Sequence, residues 1–153
     1  MPVMPVSVPD QDRVLVRHTD VFVGVTGVRA YPEAVMFQLL VKARFPGGEN
    51  PNFAFGLPHL LGPGDFEFGA ESRDAAGEWR AAPVHFDGGG GGGDPDGGEG
   101  SFEFRWWVPL PGDSRGLKLW CAWEARGVAR AEVELDADRI TAASRRCQPV
   151  WSA

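Results

Sequence analysis

Three histidines and one cysteine are the residues of this chain whose types best suit acid–base or nucleophilic chemistry. His18, His59 and His85 lie in or beside unrelated predicted strands and loops, without an HExxH motif, a GxSxG elbow or a cysteine pair at zinc spacing. Cys121 falls on an inward strand position, where a thiol gains neither the lowered pKa nor the access of a nucleophile. We therefore predict no catalytic residue. An enzyme assembled from scattered groups such as His59, His85 and Asp65 is the less favoured alternative.

Carboxylates with the oxygen chemistry of a calcium site flank the glycine run Gly88–Gly93. Their spacing does not match an EF-hand, and the stretch GGGGGDPD lacks the large apolar residue and the repetition of glycine-rich calcium repeats. The run also precedes a strand, so no helix N-terminus follows it to hold a phosphate. We predict no metal and no cofactor. The weak metal candidates are Asp87, Asp94, Asp96 and Glu99.

Two tryptophans are the strongest candidates for a binding role, because their position in the alternation turns them away from the core. Between Phe102 and Val108 the even positions are apolar, so Trp107 points outward together with Arg105. Trp120 is outward in the next predicted strand. If the two strands are adjacent, Trp107, Trp120 and Arg105 form a stacking platform for a protein, a sugar or a base.

Two alternatives would remove this platform. The proline-containing arm or the tail at Val150–Trp151 could cover the rings, since uncovered aromatic patches are uncommon in monomers. The two strands could also lie in opposite sheets of a sandwich. The remaining tryptophans of the region, Trp106 and Trp123, face inward and need only a core to explain them.

The segment from Leu117 to Leu135 predicts a hairpin with a defined register. Apolar residues alternate along both strands, and the inward positions of the second strand are Ala129, Ala131, Val133 and Leu135. Odd positions must then pair with odd positions, which requires a three-residue loop, Ala125–Gly127, with Gly127 in the left-handed conformation. The expected pairs are Cys121 with Ala131, Leu119 with Val133, and Lys118 with Glu134.

Alternation and turn residues predict further strands along the chain. The candidates are Arg13–Arg17, Val21–Arg29, Ala34–Phe45, Phe53–Leu57, Asp65–Ser72 and Glu78–Phe86. The proline-containing link at 30–33 makes the second and third antiparallel neighbours, and the link at 74–77 makes a hairpin of the last two. Together these patterns predict an all-β fold, an antiparallel immunoglobulin-like β-sandwich of about 7–9 strands with one short C-terminal helix.

The segments outside the strands set the domain organisation. Residues 1–11 contain three prolines and predict an extended arm, disordered or lying along a sheet edge, ahead of a single domain at 12–153. Residues 87–101 predict a flexible glycine-rich loop, because ordering backbone costs about 1–2 kcal/mol per residue and glycine buries no side chain in return.

The end of the chain predicts a helix and a docked tail. Asp136 has the position and type of an N-cap for a short helix through Arg146. This helix would dock on the sandwich through Ile140 and Ala143. Val150–Trp151 would then fold back onto the sheets.

Composition limits the classes of partner. The formal charge of −6, with no clustered basic stripe, argues against a nucleic-acid partner. The N-terminus has no basic segment followed by an apolar run, so we expect no signal peptide, no membrane contact and a cytoplasmic location. Two cysteines match reduced thiols better than a disulfide framework.

Two resemblances accompany these patterns. The strand Leu117–Trp123 resembles the strand of immunoglobulin-like domains that carries their second cysteine, although no cysteine in Val35–Phe45 could pair with Cys121 and Leu119 stands where a tyrosine is usual. The stretches VRAYPEAVMFQLLVKARFP, FRWWVPLP and LWCAWEARGV, with the glycine run, resemble small uncharacterised proteins of high-GC Gram-positive bacteria. That resemblance implies a bacterial, cytoplasmic, single-domain protein and supplies no catalytic residues.

The function that these features favour is a non-catalytic protein-interaction module. Its partner would be a protein, possibly a second copy of the chain, bound at an outward aromatic sheet face. A small-molecule or carbohydrate-binding β-sandwich that uses the same rings is the alternative, and an enzyme is less favoured than either.

Overall fold

The computed structural model describes residues 2–44, 65–94 and 98–151. The predicted strand at Phe53–Leu57 lies outside these ranges. The described residues form twelve strands, a 3-10 turn at Glu124–Arg126 and one helix, α1, at Ala137–Ser144. The strands are β1 Val3–Met4, β2 Val6–Ser7, β3 Arg13–Arg17, β4 Val21–Tyr31, β5 Ala34–Arg44, β6 Glu67–Arg73, β7 Trp79–Ala82, β8 His85–Asp94, β9 Glu99–Pro109, β10 Gly116–Trp123, β11 Val128–Leu135 and β12 Gln148–Pro149. Three of them, β1, β2 and β12, have only two residues, so nine longer strands carry the fold.

The strands form two larger antiparallel sheets and a two-stranded ribbon. The large sheet has the order β2-β4-β5-β9-β8, and β3 also pairs with β4. The small sheet has the order β11-β10-β6-β7, and the ribbon joins β1 to β12. The prediction of an all-β, antiparallel sandwich with one C-terminal helix is confirmed. Its immunoglobulin-like topology stays a prediction.

The core lies between the inner faces of the two larger sheets, and aromatic rings connect them. Phe37 of the large sheet meets Phe68 of the small sheet edge-on, with ring centroids 5.8 Å apart. Phe68 also contacts Trp106 at 5.4 Å. Trp123 is 3% exposed and packs against Phe66 at 5.6 Å. Trp106 and Trp123 therefore face inward, as their position in the alternation predicted.

The β10–β11 hairpin has the predicted register over most of its length. Cys121 pairs with Ala131, Leu119 with Val133 and Lys118 with Glu134. Gly127 has φ 74°, the left-handed conformation that the prediction required. Near the turn the prediction was wrong, because the register shifts and Trp123 pairs with Val128. Val128 is therefore buried and Ala129 is exposed.

The two other predicted hairpins also form. β4 and β5 are antiparallel neighbours joined at Pro32 and Glu33, and β6 pairs with β7. The predicted run Glu78–Phe86, however, divides between sheets, since β7 belongs to the small sheet and β8 to the large one. Pro83 lies between them and offers no backbone N–H to a ladder, which favours a break at that point.

The glycine-rich segment differs from the predicted loop at 87–101. Residues 87–94 belong to β8 and residues 99–101 to β9, and the two strands pair in register from Gly88 onward. The backbone ladder and the aromatic side chains of the partner strand β9 offset the entropy cost of ordering the glycines, and the composition of the segment does not reveal that partner. Phe102 provides such a side chain, because its ring lies within contact distance of the Cα region of Gly91.

The helix forms with the predicted N-cap but ends at Ser144 instead of Arg146, and the tail does not fold as predicted. The Asp136 side chain accepts a hydrogen bond from the backbone N–H of Arg139 at 3.1 Å, and Ile140 and Ala143 are buried. The arm contributes β1 and β2, which pair with β12 and β4. Trp151 is 69% exposed, so the prediction that the tail folds back over the sheets was wrong. No helix among the described residues has the length and apolar character needed to span a membrane.

Candidate protein-interaction surface

Trp107 lies on the side of the large sheet that faces away from the small sheet, here called the outer face. It stands in β9 between Met36 of β5 and His85 of β8. The His85 imidazole stacks on the indole, with ring centroids 4.0 Å apart and 19° between the planes. His85 is exposed and Trp107 is half-buried. One face of the indole is thus covered from within the chain, by a neighbouring strand rather than by the tail or the arm.

The outer face carries more apolar surface than the wet side of a sandwich normally does. A strand with one solvated face alternates apolar and polar residues, whereas β5 reads AVMFQLLVKAR, close to the pattern of a strand covered on both faces. Half-buried apolar side chains lie in separate rows of this face: Met36 pairs with Trp107, and Leu40 lies four residues further along β5. Gln38 pairs with Arg105 in the row between them, and Phe22 pairs with Lys42 nearer the other end. Met36, Leu40 and Trp107 are here called the apolar centre of the outer face.

Basic side chains lie around and within the apolar centre. The register places five of them outward, against two outward carboxylates on β9, Glu99 and Glu103. The basic residues are Arg17, Arg29, Lys42, Arg44 and Arg105. Arg105 Nη2 donates to the carbonyl of Asp87 at 3.3 Å, and Arg44 forms an ion pair with Glu99 at 3.4 Å. The outer face is therefore locally basic in a chain whose net charge is −6.

Trp120 lies elsewhere, and the predicted platform of Trp107, Trp120 and Arg105 is wrong as a unit. Trp120 belongs to β10 of the small sheet, on the side turned away from the core. Since the core lies between the two sheets, their outward sides are opposite surfaces of the molecule. The alternation assigned each side chain to the correct face of its strand, but it carried no information about which sheet each strand joins. Trp107 and Arg105 remain together.

The outward side of the small sheet carries a second tryptophan, Trp79, which the sequence analysis did not single out. Lys118 Nζ lies 4.2 Å from the centre of the Trp79 ring. Arg130 lies 4.4 Å from the centre of the Trp120 ring, which also rests on Gly69. The register of the β6–β7 hairpin pairs Trp79 with Arg73, so alternation on either side of the 74–77 turn could have revealed it.

Two carboxylates neutralise the cations of this side. Lys118 Nζ is 3.7 Å from Glu71 and 3.2 Å from Glu132. Arg130 contacts the same two residues at 3.0 Å and 3.2 Å. Each ring thus stacks against a cation, and the two cations share the carboxylates of Glu71 and Glu132. We interpret this network as structural, since a ligand that stacked on Trp120 would have to displace Arg130.

The candidate catalytic residues are far apart or inaccessible. His85 lies across the sheet from Met36 of β5, whereas His18 lies beside the strand pair at Ala43 of β5. Seven residues of β5 separate these two positions, which is about 23 Å at 3.3 Å per residue. Cys121 is 1% exposed, and burial raises the pKa of its thiol to about 12. His59 lies outside the described residues. Both Cys121 and Cys147 are free thiols.

The acidic candidates do not gather into a site. Asp87 is exposed on β8 and Glu99 pairs with Arg44, while Asp96 lies outside the described residues. In the part of the chain that the structure describes, no group of three or more His, Cys, Asp or Glu residues could hold a metal ion. The backbone of Asp94 pairs with Glu99 in the β8–β9 ladder.

Comparisons with protein-family models, with curated proteins and with solved structures gave no match to this chain.

Proposed function

We propose that this protein is a non-catalytic interaction module that binds another protein through the outer face of its large sheet. The observation that carries the proposal is the apolar centre of Met36, Leu40 and Trp107, with basic side chains around it and Arg105 within it. Trp, Met and Arg are enriched at protein interfaces, and a central aromatic anchor surrounded by polar residues is the usual arrangement of a binding hot spot. The basic rim favours a partner whose surface is acidic around an apolar centre.

The same charge argues against a second copy as the occupant. Two copies that met through their outer faces would bring like-charged rims together, around Arg29, Lys42 and Arg105 in each. Like charges across an interface oppose association. A different, acidic protein avoids this repulsion, so we assign the surface to a heterologous partner.

A small-molecule binder is the second candidate, and one cavity favours it. A cavity of about 530 Å³ lies at one end of the outer face, in the size range of ligand sites. Phe22 lines it together with the cationic side chains of Lys42 and Arg44. Asp20 and Glu99 line it as well, and Glu99 pairs with Arg44 at 3.4 Å, so its mixed charges suit a small polar compound that carries an aromatic group. The cavity adjoins the apolar centre, so tests that target Trp107 and tests that target the cavity can be separated.

The experiment compares Trp107→Ala with Trp120→Ala in affinity capture from extracts of the source organism. The two variants remove the same ring from opposite surfaces, which makes Trp120→Ala a matched control. Truncation of a hot-spot residue costs about 2 kcal/mol or more, which is about a 30-fold loss of affinity. We expect Trp107→Ala to lose a partner that the wild type and Trp120→Ala retain.

A charge-reversal pair tests the rim without removing a packed ring. Arg29 is an exposed part of the rim, and Arg146 is an exposed residue beyond α1. Arg29→Glu should weaken capture and Arg146→Glu should not. The proposal is wrong if both tryptophan variants retain every partner with the fold intact, or if nuclease treatment removes the captured material and so identifies a nucleic acid.

A further inference from the structure

The cavity of about 530 Å³ at the end of the outer face is lined by four strands of the large sheet, β4, β5, β8 and β9, and by the turn at 18–20. The register places its side chains in two neighbouring rows. In the first row Phe22 lies beside Lys42, and Ser101 follows on β9. In the second row the Arg44 N–H donates to the Asp20 carbonyl at 2.8 Å, and Glu99 follows on β9.

Two of the four formally charged side chains in this cavity neutralise each other. Arg44 Nε lies 3.4 Å from Glu99 Oε1. The other two, the carboxylate of Asp20 and the ammonium of Lys42, have no ion-pair partner among the residues that the structure describes. They are diagonal neighbours across β4 and β5, with their backbones about 7–8 Å apart. One wall of the cavity thus presents an unpaired anion and an unpaired cation.

The aromatic ring of Phe22 adjoins both charges and has a defined position. Phe22 is two residues from Asp20 on β4 and directly opposite Lys42 on β5. The half-buried ring leans over Gly24, where a Cβ would lie 3.0 Å from Cε1, and the Arg17 guanidinium carbon lies 5.9 Å from the ring centre. The ring also lines the cavity, so a second ring inside the cavity could pack against it.

We propose that this cavity binds a small zwitterion with an aromatic ring, the chemistry of a free aromatic α-amino acid. Lys42 binds the carboxylate, Asp20 binds the ammonium, and the ligand ring packs on Phe22. An apolar wall with a few polar groups that fix the orientation is the usual composition of a ligand site, and hydrogen bonds between charged groups are the strong ones.

This inference deepens the small-molecule candidate described above and rests on its cavity. It does not depend on the protein-interaction proposal, because Met36, Leu40 and Trp107 do not line the cavity.

Charge balance favours a zwitterion over an anion or a cation. The cavity has two formal cations, Lys42 and Arg44, and two carboxylates, Asp20 and Glu99. An anionic ligand on Lys42 would leave the Asp20 carboxylate unpaired beside it, and a cationic ligand on Asp20 would do the same to Lys42. A ligand with both charges on one carbon pairs each of them and leaves the total charge of the site unchanged.

Four compounds that differ in single features test this assignment on the wild-type chain. L-phenylalanine has both charges and the ring, N-acetyl-L-phenylalanine lacks the cation, L-phenylalaninamide lacks the carboxylate, and L-leucine lacks the ring. Chemical-shift titration by NMR should give a Kd for L-phenylalanine of about 2 mM or tighter, as expected for a ligand of this size. Each of the other three should bind about tenfold more weakly, since a hydrogen bond between charged groups contributes about this factor.

Two protein variants assign each charge of the ligand to its partner. Asp20→Asn should weaken L-phenylalanine and L-phenylalaninamide about tenfold and leave N-acetyl-L-phenylalanine unchanged. Lys42→Met should weaken L-phenylalanine and N-acetyl-L-phenylalanine and leave L-phenylalaninamide unchanged. A compound that lacks one charge has nothing to lose from the removal of its partner, whereas a general disturbance of the fold would weaken all compounds alike.

Two further variants are controls. Asp12→Asn makes the same chemical change at an exposed carboxylate that does not line this cavity, and it should bind L-phenylalanine as the wild type does. Trp107→Ala, which should lose a protein partner, should also bind L-phenylalanine normally. The cavity and the protein-interaction surface can therefore fail independently of each other.

Several results would overturn the proposal. One is the absence of L-phenylalanine binding at about 20 mM, ten times the expected Kd. Another is a derivative without one charge, or L-leucine, that binds the wild type as tightly as L-phenylalanine does; this result does not depend on how the variants fold. A third is equal weakening of all compounds by Asp20→Asn, since the carboxylate would then have no selective contact with the ammonium.

Discussion

Gly89 and Gly90 are neighbours in β8, and replacing each of them by alanine should change the stability of the protein in opposite ways. A Cβ at residue 89 would lie 2.9 Å from the Cα of Phe104 and 3.2 Å from the carbonyl carbon of Glu103. Favourable contacts between carbon atoms begin near 3.5 Å, and these are backbone atoms that cannot rotate away. Overpacking of this kind costs about 1–3 kcal/mol. Replacing Gly89 by Ala also stabilises by about 0.4–1 kcal/mol, because alanine restricts the unfolded chain.

The net expectation for Gly89→Ala is a loss of about 1–2 kcal/mol of unfolding free energy. A chain of this size loses about 2–4 °C in thermal midpoint per kcal/mol, so the midpoint should fall by about 2–8 °C. At Gly90 only the unfolded-state effect remains, and Gly90→Ala should leave the midpoint unchanged or raise it slightly. Urea titration and calorimetry on both variants provide the measurement. Equal midpoints for the two variants, or a lower midpoint for Gly90→Ala, would show that the described β8–β9 pairing is incorrect.

Three other predictions follow from buried or closely packed groups. Burial raises the pKa of the Cys121 thiol from 9.0 to about 12, so its contribution to stability is complete below pH 9 and is lost as the pH rises toward 12. The free energy of unfolding, measured against pH, should therefore fall at alkaline pH, and Cys121→Ala should reduce that fall. The same pH dependence in the wild type and the variant would refute this prediction. A hydrogen bond from the backbone N–H of Glu78 lowers the pKa of the Asp74 carboxyl below 3.8, and an NMR titration of that carboxyl should find a pKa below this value. The carboxylate should stabilise the fold above pH 3.8, and this stabilisation should be lost as the pH falls through the lowered pKa. A Cβ on Gly69 would collide with the Trp120 indole; Gly69→Ala should therefore shift the tryptophan emission and cost about 1–3 kcal/mol in urea titration, whereas an unchanged spectrum would mean that the ring does not rest there.

Strong alternation and cap chemistry made parts of the fold predictable from sequence. The β10–β11 register followed from alternation because each strand has one buried face, so a slip by one residue would expose a whole row of apolar side chains. The Asp136 cap followed from local chemistry, in which a carboxylate satisfies a free N–H at a helix start. The predicted inward position of Ala129 was wrong. A β-bulge near Gly127 shifts the alternation by one residue, and the types of the side chains do not indicate where such a bulge occurs.

The failures concern relations between distant segments. Local alternation reports the face of a strand but not its sheet, so Trp107 and Trp120 were assigned to one platform although the chain crosses between sheets after β9. The glycine run was predicted as a loop because the composition of a segment indicates how much apolar surface it can bury. Composition does not indicate whether another strand pairs with that segment. The tail at Val150–Trp151 was predicted to fold back onto the sheets, but Trp151 is exposed and the preceding residues, Gln148–Pro149, pair with the arm instead.

Site-specific photo-crosslinking can detect a partner protein bound to the outer face around Trp107. Gln38 pairs with Arg105 at the centre of that face, and Glu132 occupies the outward side of the small sheet. A photoreactive benzoyl-phenylalanine replaces each in turn, and the chain is irradiated in cells of the source organism. We predict a discrete crosslinked protein of acidic surface from position 38 and none from position 132. Crosslinking from position 132 alone, or to nucleic acid from position 38, would contradict the claim.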